Sequence, residues 1–310
     1  MQPLRPLARL STLILLSFVA FCTASAIPAL AQDAATVRVD GHSERVGAGT
    51  VTTFARFDET GAPLALGIEL TAEAVQHPPT GRSDEHQCTD IDDDGTVTKP
   101  EECRLWHEFV IPLPDRAVQH PDLPFRWALL NWNPEGHIPP QIYTHPHFDV
   151  HFYMVPIAEV MAIRSGSCGP EYVRCDQFER AKKPVPPNYV HPDFKDVSAV
   201  APAMGNHLID VSGPEFHGET FDRTWIFGAY DGRITFYEEM VSQAYLLTQP
   251  NNCFSIKQPE GFERAGYYPT RSCIRYDEAR DRYRVVMEDF RMREASPPAP
   301  ITAATDPAIE

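Results

Sequence analysis

Between positions 145 and 154 the chain alternates so that residues able to hold a metal share one side. His145, His147, Asp149, His151 and Tyr153 have one parity, and Phe148, Val150, Phe152 and Met154 the other. An extended segment here buries its apolar set and lines up three imidazoles and a carboxylate opposite. Those are the donors of first-row transition-metal chemistry, with Zn, Fe, Mn or Cu as the candidate ions. Strand residues two apart are about 6.6 Å apart and can share an ion, whereas residues four apart are about 13 Å apart. His145 with His147, or His147 with Asp149, are therefore the easiest ligand pairs, and a third ligand must come from elsewhere. His207 is the first candidate because Gly205 before it permits close approach. His137, after the turn at Gly136, and Glu238, at the inward parity of Phe236, come next. The bland alternative is a buried hydrogen-bond network in which Asp149 orients an imidazole without metal. His42, His77, His86, His107, His120, His191 and His217 lack such company and are expected at the surface or in loops.

A second set of donors lies at Asp90 to Glu101, D-I-D-D-D-G-T-V-T-K-P-E, which fits the twelve-residue calcium loop of an EF-hand. Asp90, Asp92 and Asp94 stand at loop positions one, three and five, Gly95 at the turn, and Thr96 at the carbonyl position. Val97 is the apolar anchor and Glu101 the bidentate position. The preceding stretch from Pro78 to Gln87 has almost no apolar residues, so no packing helix flanks the loop. Cys88 and Cys103 bracket it, and a disulfide closing a loop of this length contributes about 3 kcal/mol in the chain-entropy model. The expectation is a structural Ca2+ site, binding on the order of 0.1–1 mM, rather than a sensor.

These sites need a scaffold. Arg5 and Arg9, the apolar run Leu10 to Phe21 and the Ala29-Leu-Ala31 pattern read as a Sec signal peptide over residues 1–31, hence a secreted or periplasmic protein. No later segment has the length and apolarity of a membrane span. Cleavage removes Cys22 and leaves six cysteines, an even number suited to an oxidising compartment. Spacing favours three local pairs among the fifteen arrangements: Cys88 with Cys103, Cys168 with Cys175, and Cys253 with Cys273. Cleavage also removes Arg5 and Arg9, taking the formal net charge from −16 to −18. That charge argues against nucleic acid and anionic lipid and favours metal ions or small neutral ligands.

Thirty prolines cut the rest into short segments, which suits strands better than long helices. Residues 51–57, 64–70, 108–111, 224–230, 233–240 and 282–292 read as strands, with Asp231-Gly232 a two-residue hairpin turn. Helices are expected at 157–164 and 241–248. The expected architecture is mostly β, an antiparallel sandwich or barrel-like domain over residues 32–295 with few short helices. The calcium loop sits at 88–103 and a disordered tail at 296–310. No G-x-S-x-G elbow occurs, and Gly47-Ala-Gly49 is a turn rather than a phosphate cradle.

Two resemblances follow. His145, His147 and His151, spaced H-x-H-x-x-x-H, are similar to the first metal motif of cupins, with His151 near the place of their glutamate. The second cupin motif is only loosely echoed by Pro202 to His207. More closely, the chain resembles a family of exported bacterial proteins of unknown function. The shared pieces are Trp132-Asn-Pro-Glu-Gly-His137, Pro146-His-Phe-Asp-Val-His-Phe-Tyr153, Met204-Gly-Asn-His207 with Asp210, Phe236-Tyr-Glu-Glu-Met240, and two segments between Gly47 and Gly67. They extend over most of residues 45 to 250. The resemblance implies a β-rich domain able to form a homo-oligomer, with no established reaction. It carries over His137, His147, Asp149, His151, His207 and Glu238 as the positions to test. This chain departs at Glu239, where the family usually has proline, and at His145, which is its own. Two functions follow as expectations: a calcium-stabilised metal- or ligand-binding protein, or a metal-dependent enzyme. The enzyme would be a cupin-like oxidoreductase or a metal-assisted hydrolase, with Glu238 as general base or fourth ligand.

Overall fold

Short runs of Val, Ile, Phe and Tyr between prolines and turns do form strands. The computed structural model describes residues 36–80, 95–96 and 107–301. The strands are β1 Val37–Val46, β2 Gly49–Phe57, β3 Pro63–Thr71, β4 His107–Pro112, β5 Trp127–Asn133, β6 His147–Tyr153, β7 Ser165–Cys168, β8 Phe194–Ala201, β9 Gly205–Asp210, β10 Arg223–Tyr230, β11 Arg233–Ser242, β12 Asn251–Ser255, β13 Gly266–Asp277 and β14 Arg282–Arg293. The helices α1 Ala72–Gln76, α2 Asp115–Val118, α3 Ile157–Met161, α4 Cys175–Ala181 and α5 Gln243–Leu247 are short. None is long and apolar enough to cross a membrane.

Two open antiparallel sheets result, in the orders β1-β2-β3-β14-β13-β12 and β4-β5-β6-β11-β10-β9-β8. Of the two expected arrangements, the closed barrel is not formed among the described residues. Inward residues of both sheets meet in one core: Ala55, Leu66, Ile68, Val285 and Met287 from the first, and Leu130, Phe148, Val150, Phe152, Phe227 and Tyr237 from the second. Apolar contact between two sheets over many such side chains is the main stabilising term, about 1.5–3 kcal/mol for each large side chain fully buried.

The helix expected over 241–248 starts later. Val241 and Ser242 continue β11 because they pair with Phe148 and His147 of β6, and Ser242 then caps α5 by accepting from the Tyr245 N–H at 3.0 Å. The helix expected over 157–164 ends at Met161. Residues 296–299, expected to open a disordered tail, are tied down. Tyr189 donates to the Ser296 carbonyl at 2.6 Å, and Asn188 bonds both Pro297 and Ala299. The disulfides Cys168–Cys175 and Cys253–Cys273 form as the spacing suggested. Of the calcium loop, Asp90, Asp92, Asp94, Glu101, Cys88 and Cys103 lie outside the described residues. Gly95 and Thr96 lie within them, and Gly95 has φ +85°.

Glu239 is a charge inside the sandwich. It is fully buried on the inward face of β11 and accepts from Arg223 Nε at 2.6 Å, from Arg223 Nη2, and from Ser272 Oγ of the opposite sheet at 2.6 Å. Burial pushes its carboxyl up, and Arg223 opposes that shift.

Candidate metal centre

The outer face of the seven-stranded sheet carries the histidines. On β6 the alternation begins at His147, so His147, Asp149, His151 and Tyr153 point outward while Phe148, Val150 and Phe152 fill the core. Sheet register then decides the neighbours. His151 stands opposite Glu238 of β11, and Gly228 of β10 lies between Phe236 and His207 in the adjoining row. Asp149 stands opposite Asn131, and His147 opposite Asn133, both on β5. The face is covered by the loops after β5 and β9, where Tyr143 and Phe221 pack at 4.9 Å. Tyr143 also donates to Glu215 at 3.2 Å.

Two ligand triads are brought together. In one, His137, His147 and Asp149 each offer an atom within 4.8 Å of the others; in the second, His151, His207 and Glu238 do the same. His137 Nε2 lies 3.3 Å from Asp149 Oδ2, and His147 Nε2 lies 3.2 Å from Asp149 Oδ1. Glu238 faces His151 Nε2 at 3.5 Å and His207 Nε2 at 3.7 Å. The sequence reading placed His207 as third ligand to His147; in the structure that place is taken by His137, and His207 joins His151. His145 is exposed and contributes its backbone carbonyl rather than its ring. A third group, Cys253, Cys273 and Glu288, has its sulfurs joined in a disulfide.

Every imidazole of the two triads is oriented the same way. His137 Nδ1 meets the Ile138 carbonyl at 2.7 Å and His147 Nδ1 the His145 carbonyl at 2.6 Å. His151 Nδ1 meets the Leu129 carbonyl at 3.3 Å and His207 Nδ1 the Ala199 carbonyl at 2.8 Å. A carbonyl only accepts, so Nδ1 carries a proton in each ring and Nε2 is the atom turned towards a carboxylate. Fixing one ring nitrogen on a backbone carbonyl is how proteins present the other to a metal. An Nε2 lone pair and a carboxylate oxygen at this range repel unless a proton or a metal ion lies between them. His147 Nε2, Asp149 Oδ1, His151 Nε2 and Glu238 Oε2 are all buried and lack a hydrogen-bond partner.

The triads differ in charge. Burial lowers His151 to about 3 and His207 to about 4, so both rings are neutral at pH 7. Burial, with Asp149 and Glu239 adding to it, holds the Glu238 carboxyl well above the usual range. In the first triad burial pushes Asp149 up, but His147 and His137 outweigh it and hold the carboxyl well below that range. Burial lowers His137, but Asp149, with the Ile138 carbonyl and Glu171, outweighs it and the net shift is upward. Burial thus disfavours charge on His151, His207 and Glu238 of the second triad, whereas mutual contact favours the charged forms of Asp149 and His137 in the first.

A cavity of about 40 Å³ opens onto both triads, lined by His137, Asp149 and His207 with Asn131, Asn133 and Tyr143. Sequence reasoning passed over the two asparagines, although the alternation Leu129, Asn131, Asn133 places both amides on the histidine side. Asn133 Nδ2 donates to Asp149 Oδ2 at 2.8 Å, and Asn131 has no partner. Gly228 makes room for the second triad, since a Cβ there would lie 2.0 Å from the Phe236 ring, which itself packs at 4.9 Å on His151 and 5.2 Å on His207. Gly228→Ala is expected to destabilise by about 1–3 kcal/mol through overpacking. A melting temperature within a degree of wild type would show that Phe236 yields freely.

No family model, no curated protein and no solved structure matches the chain.

Proposed function

We propose that this is an exported, calcium-stabilised protein whose histidine face binds divalent transition-metal ions, one at each triad. The observation that carries the reading is the set of buried, unpartnered Nε2 and carboxylate atoms turned on one another. A cation bound between them removes the repulsion and gives each atom a partner. Two imidazoles and a carboxylate suit Zn, Fe or Mn more than Ca2+ or Mg2+, which take oxygen ligands. The test is elemental analysis of protein purified without chelator, where near-stoichiometric Zn, Fe or Mn is expected. Calcium as the sole metal would sink the reading.

Metal-dependent catalysis is the second reading, in which Glu238 acts as general base or ligand. It is favoured by the cavity beside the triads, because three protein ligands leave a coordination position for water or substrate. The resemblance to exported proteins of unknown function, resting on the Trp132–His137 and Pro146–Tyr153 motifs, agrees with either reading and names no reaction.

The loop from Asp90 to Glu101 is assigned to calcium on its ligand spacing alone. Millimolar calcium is expected to raise the melting temperature of wild type and to leave Asp90→Ala unchanged. Identical melting of wild type with and without calcium would remove the ion from the account.

A further inference from the structure

We propose that a second cavity, beside the 261–264 loop, binds a small aliphatic carboxylate through the Tyr237 hydroxyl and the Arg264 guanidinium. This goes beyond the metal reading and does not rest on it, since the cavity shares no residue with either triad. It measures about 70 Å³, and both sheets reach it, one through Tyr237 of β11 and the other through Tyr268 of β13. Three tyrosines line it, and two have spent their hydroxyls. Tyr189 donates to the Ser296 carbonyl at 2.6 Å and Tyr268 to the Arg264 carbonyl at 3.0 Å. Tyr237 is 4% exposed, yet its hydroxyl has no hydrogen-bond partner among the described residues. Unlike the Tyr153 hydroxyl it is not sealed from solvent, so a molecule in the cavity can reach it. A phenol without a protein partner in such a place is satisfied only by what enters the cavity. Burial holds its ionisation well above the usual range, so at pH 7 it is a donor.

The charge at the mouth identifies the acceptor. Two guanidiniums line the cavity, and Arg233 is turned to Glu159 at 3.1 Å, whereas Arg264 has no carboxylate partner among the described residues. Arg126 stands near it, held by the Val118 carbonyl at 2.7 Å, and burial and then the Arg264 charge lower the Arg126 guanidinium. Set against Glu263, the one carboxylate of the lining, Arg126 and Arg264 leave a single positive charge, which a monoanion neutralises. A carboxylate accepts from the Tyr237 hydroxyl and from Arg264 at once. An ammonium would meet Arg264 as a like charge and leave Tyr237 without an acceptor. A phosphate dianion carries more charge than the mouth balances, and Val155, Ile234 and Phe262 offer its further oxygens nothing. At roughly 10–15 Å³ for each water, the cavity holds about five to seven waters, which leaves room for propionate with its roughly five heavy atoms.

The experiment titrates sodium propionate into the full chain, with sodium chloride keeping the ionic strength constant, and follows ring-labelled tyrosines by NMR. Saturable binding is expected, with a shift of the Tyr237 ring resonances. Tyr237→Phe and Arg264→Gln are each expected to lose about tenfold or more in affinity, since each removes a charge-assisted hydrogen bond. Arg264 is exposed, so its variant decides if the core change at Tyr237 disturbs folding. Absence of saturation, unchanged affinity in a folded variant, or phosphate, propylammonium or propionamide binding as tightly as propionate would each overturn the assignment. Metal content, measured on separate protein, tests the metal reading by itself. Either claim can therefore fail while the other stands.

Discussion

Protein carrying both His147→Ala and His207→Ala should lose all of its transition metal while keeping the β fold. The two histidines sit in different triads, so the single variants are the informative controls. His147→Ala leaves His137 and Asp149 as a two-ligand remnant, and His207→Ala leaves His151 and Glu238. Losing an outer partner of a metal ligand already costs about 10–100-fold in affinity, and losing the ligand itself costs more. Each single variant is therefore expected to retain about half of the metal, and the double variant none. Loss of all metal from one single variant would mean a single shared ion. Unchanged metal content in the double variant would remove the histidine face from metal binding altogether.

Replacing Arg223 by alanine is the change expected to unfold the protein most readily. Arg223 donates to both oxygens of the buried Glu239, and its guanidinium lies 4.5 Å over the Phe254 ring. Without it Glu239 keeps Ser272 as hydrogen-bond partner and loses its counter-charge in the interior of the sandwich. Breaking a buried pair from one side costs about 3–5 kcal/mol, because an uncompensated charge stays behind. The measurement is chemical denaturation of Arg223→Ala beside the paired replacement Arg223→Met/Glu239→Leu. The paired variant is expected to recover most of the loss, since apolar residues of similar volume replace such pairs at little cost. A loss below about 1 kcal/mol in Arg223→Ala would show that water reaches Glu239 and screens it.

Much of the scaffold could be read from residue order, and the reasons for the rest are specific. The Asp231-Gly232 turn and the alternation of 147–153 announced β10, β11 and β6, because one-sided burial leaves a period of two. Trp127–Asn133 is buried along its whole length, with Trp127 and Leu129 on the histidine side and Ala128, Leu130 and Trp132 on the core side. Only Asn131 and Asn133 therefore marked the alternation of β5. Val241 and Ser242 looked helical because local preference cannot foresee pairing with Phe148 and His147. The ligand residues themselves were legible, whereas their partition was not. Glu238 meets His151 through the register of β6 with β11. His137 reaches Asp149 because its N–H bonds the Tyr143 carbonyl at 2.9 Å and curls the loop over the sheet. Register and loop closure are long-range facts that spacing along the chain does not contain.

The order of strands in the seven-stranded sheet gives the two triads unequal mechanical meaning. The run β4-β5-β6 and the run β8-β9-β10-β11 are separate meanders, joined along the seam between β6 and β11. His137, His147 and Asp149 belong to the first meander and its loop, so an ion there is a local clip. His151 lies on one side of the seam, Glu238 and His207 on the other, so an ion held among them is a rivet through it. Tying residues 151 and 238 together closes a far longer stretch of chain than tying 137 to 149, and closing a longer loop removes more freedom from the unfolded chain. Pulled apart by its ends, the sheet would part at this seam last when the rivet is in place.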